Sequence, residues 1–426
     1  MTFGVETYRK KRMAAVEPYI AALPVKNCDI AVCIPALDEL EYLPATIDSV
    51  VNAWNFYRFA GQNTRTARIF NSLLIVVNVN NRQNAGEQVK INNRLLFEKL
   101  CNSPFAENTQ NSQNTKNTIE QPRNPLNDSI RLVAINSFSP GNELPEKDGA
   151  GFARKIALDY GFLCCNGRSD AILCCLDADT LIDSDYFTAI AQSFGDIVKN
   201  GRAVQKVKAG VTGFHHQAGQ TAQQNAAIIS YEEYLKSHSR SLKNSGSPWW
   251  PVALGPTIVC TARFYGACGG MNRHIAGEDF YFLQALLKSC GEGEFAEIPC
   301  TVHPAARLSN RVAFGTGTAI QAQIEQTKPV QGFLPSSFEE LKMLLSFAEN
   351  FCTAASQNPG MQADGFLTGL QPLSPKSCAF LQQENFAKIW QKLFDQNRKN
   401  KKALMWAFNC WFDGLKTIRF FHFLER

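Results

Sequence analysis

Asp177 and Asp179 stand one residue apart in CCLDADTLIDSDYF, directly after an oily run. Side chains on an extended strand alternate faces, so the spacing predicts that both carboxylates point the same way and form one site. Carboxylates that close repel, and each raises the other's pKa unless a cation lies between them or donors surround them. Hard oxygen ligands of this kind suit magnesium or manganese, bound through one or two carboxylates with phosphate oxygens completing the shell. Taken alone, the pair also has an ordinary explanation, with Asp179 and Thr180 capping the next turn.

A second acidic pair, Glu278 and Asp279, follows a glycine-marked loop in GGMNRHIAGEDFYFLQALLKSCG and opens a helical pattern. Neighbouring helical residues project in different directions, so the two acids cannot share one task, and one is a candidate general base. The helix macrodipole at that end favours the ionised form, which is the form that accepts a proton. In EIPCTVHPAARLSNRVAFGTG, His303, Arg307 and Arg311 lie on a strand-to-loop segment. Either arginine can clamp phosphate through its planar fork, with surface ion pairs as the ordinary alternative. In VTGFHHQ, His215 and His216 face opposite sides of a strand, so at most one of them joins any site.

These residues need a frame that gathers them. Short β-rich runs over 29–35, 72–79, 129–135 and 171–177 alternate with helical periodicity over 42–59, 87–100 and 151–162, which predicts an α/β sheet in the order βαβαβαβ. Open α/β sheets bind ligands at the carboxyl ends of their strands. Pro35, Ala36, Asp38 and Glu39 follow the first strand, Asn78 and Asn80 end the second, Arg154 lies in the helix before the fourth, and Asp177 ends the fourth. Residues 1–28 read as an N-terminal helical extension, 29–330 as the catalytic domain and 331–426 as a C-terminal helical region. Residues 102–128, rich in Asn, Gln, Thr and Ser with little to bury, read as a low-complexity surface insertion. The last apolar stretch, 401–424, reads as one helix whose Trp and Phe face packs in a core or rests on a membrane surface.

The bulk composition narrows the classes. Of 426 residues 45% are hydrophobic, which excludes a mostly disordered chain. A net charge of +5 with scattered Lys and Arg gives no nucleic-acid footprint. The fourteen cysteines sit largely in apolar runs, without zinc-ligand spacing, and read as reduced core residues. MTFGVETYRKKRMAAVEPYI lacks the apolar stretch of a signal peptide, and no apolar run reaches membrane-spanning length. A cytoplasmic location is expected, compatible with work at the inner face of a membrane.

The segments AVCIPALDELEYLPATIDSV, GAGFARKIALDYGF, CCLDADTLIDSDYF and GGMNRHIAGEDFYFLQALLKSCG together resemble the GT-A glycosyltransferases, particularly family 2, over roughly 29–317. The resemblance implies a Rossmann-like mixed sheet and transfer of a sugar from a nucleotide-diphospho-sugar to an acceptor hydroxyl, with inversion. It implies Mn2+ or Mg2+ at Asp179 with Asp177, and His303 as a further ligand. Donor contacts are implied at Pro35, Ala36, Asp38, Glu39, Asn78, Asn80, Arg154, Asp177, Arg307 and Arg311. Asp279 is implied as the base, with Glu278 positioning the acceptor. Trp249, Trp250 and His215 read as acceptor contacts, the tryptophans by stacking on sugar rings, with core packing as their equal alternative. The family's usual aspartate after the second strand is replaced by Asn78 and Asn80, which leaves the base, uracil or guanine, open. The competing readings are a sugar nucleotidylyltransferase or metal phosphohydrolase on a similar sheet, or a non-catalytic nucleotide-sugar-binding relative.

Overall fold

The computed structural model describes residues 5–23, 27–60, 68–106, 129–166, 168, 170–199, 202–205, 207–308, 316–325, 332–358, 363–397 and 400–426. Most of the expected insertion, 107–128, therefore lies outside the described residues. Its first five residues do not: Ala106 bridges to Leu132. The chain divides into two units, Met1–Ile228 with Ala253–Ile324, and Ile229–Val252 with Glu325–Arg426.

The first unit opens with α1 (Val5–Arg12), α2 (Glu17–Ile20), β1 (Ile30–Ala36), α3 (Leu43–Ala60), β2 (Leu73–Asn80), α4 (Glu87–Cys101) and β3 (Ile130–Ser137). There follow α5 (Ala150–Cys164), β4 (Ile172–Cys175), β5 (Leu181–Ile182), α6 (Tyr186–Ser193), β6 (Asp196–Lys199), β7 (Arg202–Gln205) and β8 (Ala209–Phe214). Helix α7 (Ala222–Asn244) runs across the division at Ile228. The unit closes with β9 (Ile258–Thr261), α8 (Ala262–Ala267), α9 (Glu278–Ser289), β10 (Phe295–His303) and α10 (Thr316–Ile324).

Eight strands form a mixed sheet in the order β3-β2-β1-β4-β9-β8-β10-β5. β1, β2, β3 and β4 are mutually parallel, while β9 runs against both β4 and β8. Every residue of β2, LLIVVNVN, is buried, as expected of a parallel strand covered on both faces. Helix α5 packs on β1 and β2 and is buried along its whole length from Gly151. Two of its three buried charges are matched to each other: Lys155 Nζ lies 2.8 Å from Asp159 Oδ2, and the hydroxyls of Tyr8 and Tyr265 donate to Asp159 Oδ1 at 2.8 and 2.7 Å. Removing one member of such a buried set typically costs about 3–5 kcal/mol, so these bonds pin α5 where Arg154, one residue before Lys155, needs it. Tyr8 comes from α1, so the N-terminal extension is tied to α5 within this unit.

The second unit is helical: with part of α7 it contains α11 (Pro335–Gln357), α12 (Ala363–Leu370), α13 (Pro375–Gln383), α14 (Phe386–Asn397), α15 (Lys401–Trp411) and α16 (Gly414–Leu424). Phe386, Trp390 and Phe394 recur at helical spacing on α14 and join Phe366, Phe408 and Phe420 in an aromatic core. Burying such a ring contributes roughly 1.5–3 kcal/mol. The single helix expected over 401–424 is two, because Asp413 leaves helical geometry and its side chain accepts from Lys416 N at 3.1 Å, capping α16. Phe420 and Phe421 are fully buried, so the aromatic face is a core face and not a membrane-surface one. Among the described residues no helix is long and apolar enough to cross a membrane.

Candidate active site

Because β1, β2 and β4 run parallel, their carboxyl ends open on one edge, and there a cleft of about 710 Å³ gathers Pro35, Asp38, Glu39, Asn80, Arg154, Asp177, Asp179, Glu278, Asp279 and Arg307. Both acidic pairs of the sequence thus line one cavity. The reason for the first pair differs from the expected one. Strand β4 stops at Cys175, and Asp177 to Asp179 form a turn closed by Thr180 N donating to Asp177 O at 3.1 Å. Thr46 of α3 holds that turn by donating through its hydroxyl to Ala178 O at 2.9 Å.

Each aspartate meets its own arginine. Arg154 Nη2 lies 2.8 Å from Asp177 Oδ1, and its Nε lies 3.5 Å from Glu278 Oε1, so one buried guanidinium ties the turn after β4 to the start of α9. Burial opposes the charge on Arg154, but Asp177 and then Glu278 outweigh it and raise the pKa further. Two glycines make the approach possible. A Cβ on Gly151 would lie 2.4 Å from His274 O, and one on Gly255 would lie 2.5 Å from Arg154 Nη2. Arg307 Nε lies 2.8 Å from Asp179 Oδ2, its Nη2 donates to Glu39 Oε1, and its guanidinium stacks 4.6 Å from the Tyr42 ring.

Asp279 is half-buried at the first turn of α9, its Oδ1 accepting from Phe280 N at 2.7 Å. Burial first, and the neighbouring Glu278 charge second, push its pKa up to about 7. The macrodipole expected to keep it ionised is outweighed by desolvation.

Asparagines build the opposite wall. Asn80 Nδ2 donates to Ala36 O at 3.1 Å and to Asn78 O at 3.0 Å, which fixes the amide and leaves Oδ1 as the group it can offer a ligand. Asn93 of α4 donates to Asn80 O and Asn81 Oδ1 and accepts from Asp38 N at 3.0 Å. That bond, with Asn92 donating to Asp38 Oδ1 at 2.8 Å, holds Asp38 at φ 57°, a left-handed conformation that aspartate tolerates. Asn92 and Asn93 escaped the sequence reading, though two polar residues inside an otherwise amphipathic helix were a usable signal. Gln217, also missed, donates to both Asp179 O and His303 O.

Other expected site residues lie elsewhere. Asn78 is fully buried and donates to Ala153 O at 2.9 Å, holding α5 on the sheet instead of reaching the cleft. Ala36 contributes its carbonyl to Asn80 and is buried. His303 turns away from the two aspartates: its Nδ1 meets His215 O at 2.9 Å and its Nε2 meets Asp183 Oδ1 at 3.0 Å, so both ring nitrogens are engaged away from Asp177 and Asp179. His215 is exposed beside it and does not line the cleft. Trp249 and Trp250 belong to the helical unit, where Trp249 donates to Phe412 O at 3.0 Å and Trp250 carries Lys243 4.3 Å over its ring. Their aromatic surface serves packing there. Arg311 lies outside the described residues.

No known protein family matches the sequence, and no curated protein matches it. Among solved structures the chain is similar to S. aureus TarS in complex with UDP-GlcNAc, at 8% identity over 90% of this chain and 91% of that one, with a TM-score of 0.37. It is similar to M. tuberculosis glucosyl-3-phosphoglycerate synthase at 12% identity over 75% and 87%, with a TM-score of 0.32. A mannosyltransferase from Pyrobaculum calidifontis in complex with GDP-Man and Mn2+ gives 13% identity over 96% and 92%, with a TM-score of 0.33. At such TM-scores the likeness carries no weight, and function rests on this chain's own residues.

Proposed function

We propose that this chain is a metal-dependent GT-A glycosyltransferase that moves a sugar from a nucleotide-diphospho-sugar to an acceptor hydroxyl with inversion. The observation that carries the reading is the convergence of Asp177, Asp179 and Asp279 on one cleft at the carboxyl edge of a mostly parallel sheet half. Asp279, with its pKa near the working pH, is matched to taking a proton from an acceptor hydroxyl. As that oxygen bonds to the anomeric carbon, the bond from carbon to the diphosphate oxygen breaks, the proton passes to Asp279, and a nucleoside diphosphate leaves. Arg154 and Arg307 supply positive charge where the leaving group gains negative charge. Asn80 Oδ1 suits a ring N–H such as N3–H of uracil or N1–H of guanine.

The residues fit a divalent cation of the hard kind. Seven carboxylates, Asp38, Glu39, Asp148, Asp177, Asp179, Glu278 and Asp279, line the cleft against the three guanidiniums of Arg82, Arg154 and Arg307, with no thiol among them. Among the described residues no three His, Cys, Asp or Glu side chains are grouped to hold an ion unaided. The arrangement therefore suits Mn2+ or Mg2+ shared between Asp179, Asp177 and phosphate oxygens, where it would neutralise the departing diphosphate.

The test is turnover of UDP- and GDP-sugars with Mn2+, following products by phosphorus and proton NMR. Release of nucleoside diphosphate with an inverted anomeric centre is expected. Release of nucleoside monophosphate or pyrophosphate would replace the reading with phosphoryl transfer, and binding without turnover would replace it with a non-catalytic role.

A further inference from the structure

We propose that Arg307 holds the cation's place on Asp179 and yields that carboxylate only when a diphosphate arrives to receive the guanidinium, so that cation and diphosphate bind cooperatively. The proposal rests on the glycosyl-transfer reading and concerns how its site is loaded. Arg307 is anchored at one end and replaceable at the other. Its Nη2 donates to Glu39 and its plane lies on Tyr42, while its Nε meets Asp179 Oδ2 at 2.8 Å, on the carboxylate that a cation would share. A divalent ion on that carboxylate is repelled by a guanidinium bonded to the same group, so each weakens the other's hold on it.

Arg307 also has somewhere to go. It forms part of the wall between the cleft and a second cavity of about 690 Å³, and lines both. Arg154, by contrast, is wedged against Gly255 and tied to two acids, so it has no such freedom. A diphosphate offers Arg307 a planar pair of acceptors in exchange for Asp179, since the guanidinium fork matches phosphate oxygens in two-point contact. The cation and the diphosphate then each favour the same displaced arrangement, which is a positive coupling between their sites.

The experiment measures free Mn2+ by electron paramagnetic resonance during titration of the full chain, without nucleotide and with UDP or GDP. Wild-type protein is expected to bind Mn2+ weakly alone and at least about tenfold more tightly with nucleotide. Arg307→Gln is expected to bind Mn2+ about tenfold more tightly than wild type in the absence of nucleotide, with the nucleotide's enhancement reduced to the part its phosphate oxygens supply as ligands. Arg307→Lys keeps a charge but not the fork that spans Glu39 and Asp179, and should fall between the two; it also carries the comparison if the glutamine variant does not fold. Unchanged or weaker Mn2+ affinity without nucleotide in these variants overturns the proposal. Wild-type Mn2+ binding that ignores a nucleotide shown to bind also overturns it, whereas failure of both nucleotides to bind at all would count against the glycosyl-transfer reading itself.

Discussion

Replacing Glu278 with Gln removes a charge that holds Asp279 protonated while leaving the burial that is the larger cause. Burial first, then the Glu278 charge, with a smaller push from Asp177, raise the Asp279 pKa to about 7 against the opposing pull of Arg154 and the Phe280 N–H. In the variant Arg154 also loses one of its two acids, so more of its positive charge acts on Asp279. A like charge at roughly 7 Å in a medium of effective dielectric about 20 is worth about 2 kcal/mol, or about 1.5 pH units. A base works in its ionised form, so activity rises with pH through its pKa, and lowering the pKa moves the rising limb to lower pH. The assay is the pH profile of kcat/KM for nucleoside-diphosphate release, which reports the free enzyme. A limb near pH 7 in wild type is expected to move to between about pH 5 and 6 in Glu278→Gln. A limb that stays in place, or moves up, would refute the account of how Asp279 is tuned.

Asp279→Asn should lower turnover by about 10²–10⁴-fold while nucleotide binding persists, as measured by steady-state kinetics and calorimetry. The folded pKa of Asp279 lies above its unfolded value, so its ionisation costs stability as pH rises from about 4 to about 7; the same variant should therefore gain more melting temperature at pH 8 than at pH 4. Gly255→Ala would put a Cβ 2.5 Å from Arg154 Nη2 and should cost about 1–3 kcal/mol in urea denaturation. In the helical unit, Asp413→Ala removes the cap on Lys416 N and should cost about 0.5–2 kcal/mol in the same measurement.

The strands and helices up to Asp177 were legible because continuous apolar runs and helical periodicity are local signals. Observed β1, β2 and β3 and helices α3, α4 and α5 fall within a residue or two of the expected spans. What joins them was not legible, since Arg154, Asp177 and Glu278 are far apart in the chain and meet only through the fold. The alternation argument for the aspartate pair failed on two residues of strand length, yet Asp179 still reaches the cleft because Thr46 and Gln217 hold its turn. Helix α7, AQQNAAIISYEEYLKSHSRSLKN, has too little apolar periodicity to announce itself, and its grouping with the C-terminal helices depends on tertiary packing. The tryptophans after it offered the same aromatic faces to a ligand or to a core; only the fold could decide, and Trp249 is buried in the helical unit with its indole N–H bonded to Phe412 O.

The most direct measurement is a thermal-shift series with UDP, GDP and their sugars, each with and without Mn2+, on wild type and Asp179→Ala. One nucleotide series is expected to raise the melting temperature only when the cation is present, and Asp179→Ala is expected to abolish this dependence. Stabilisation that ignores the cation, or a dependence that survives in Asp179→Ala, would contradict a cation held at Asp179.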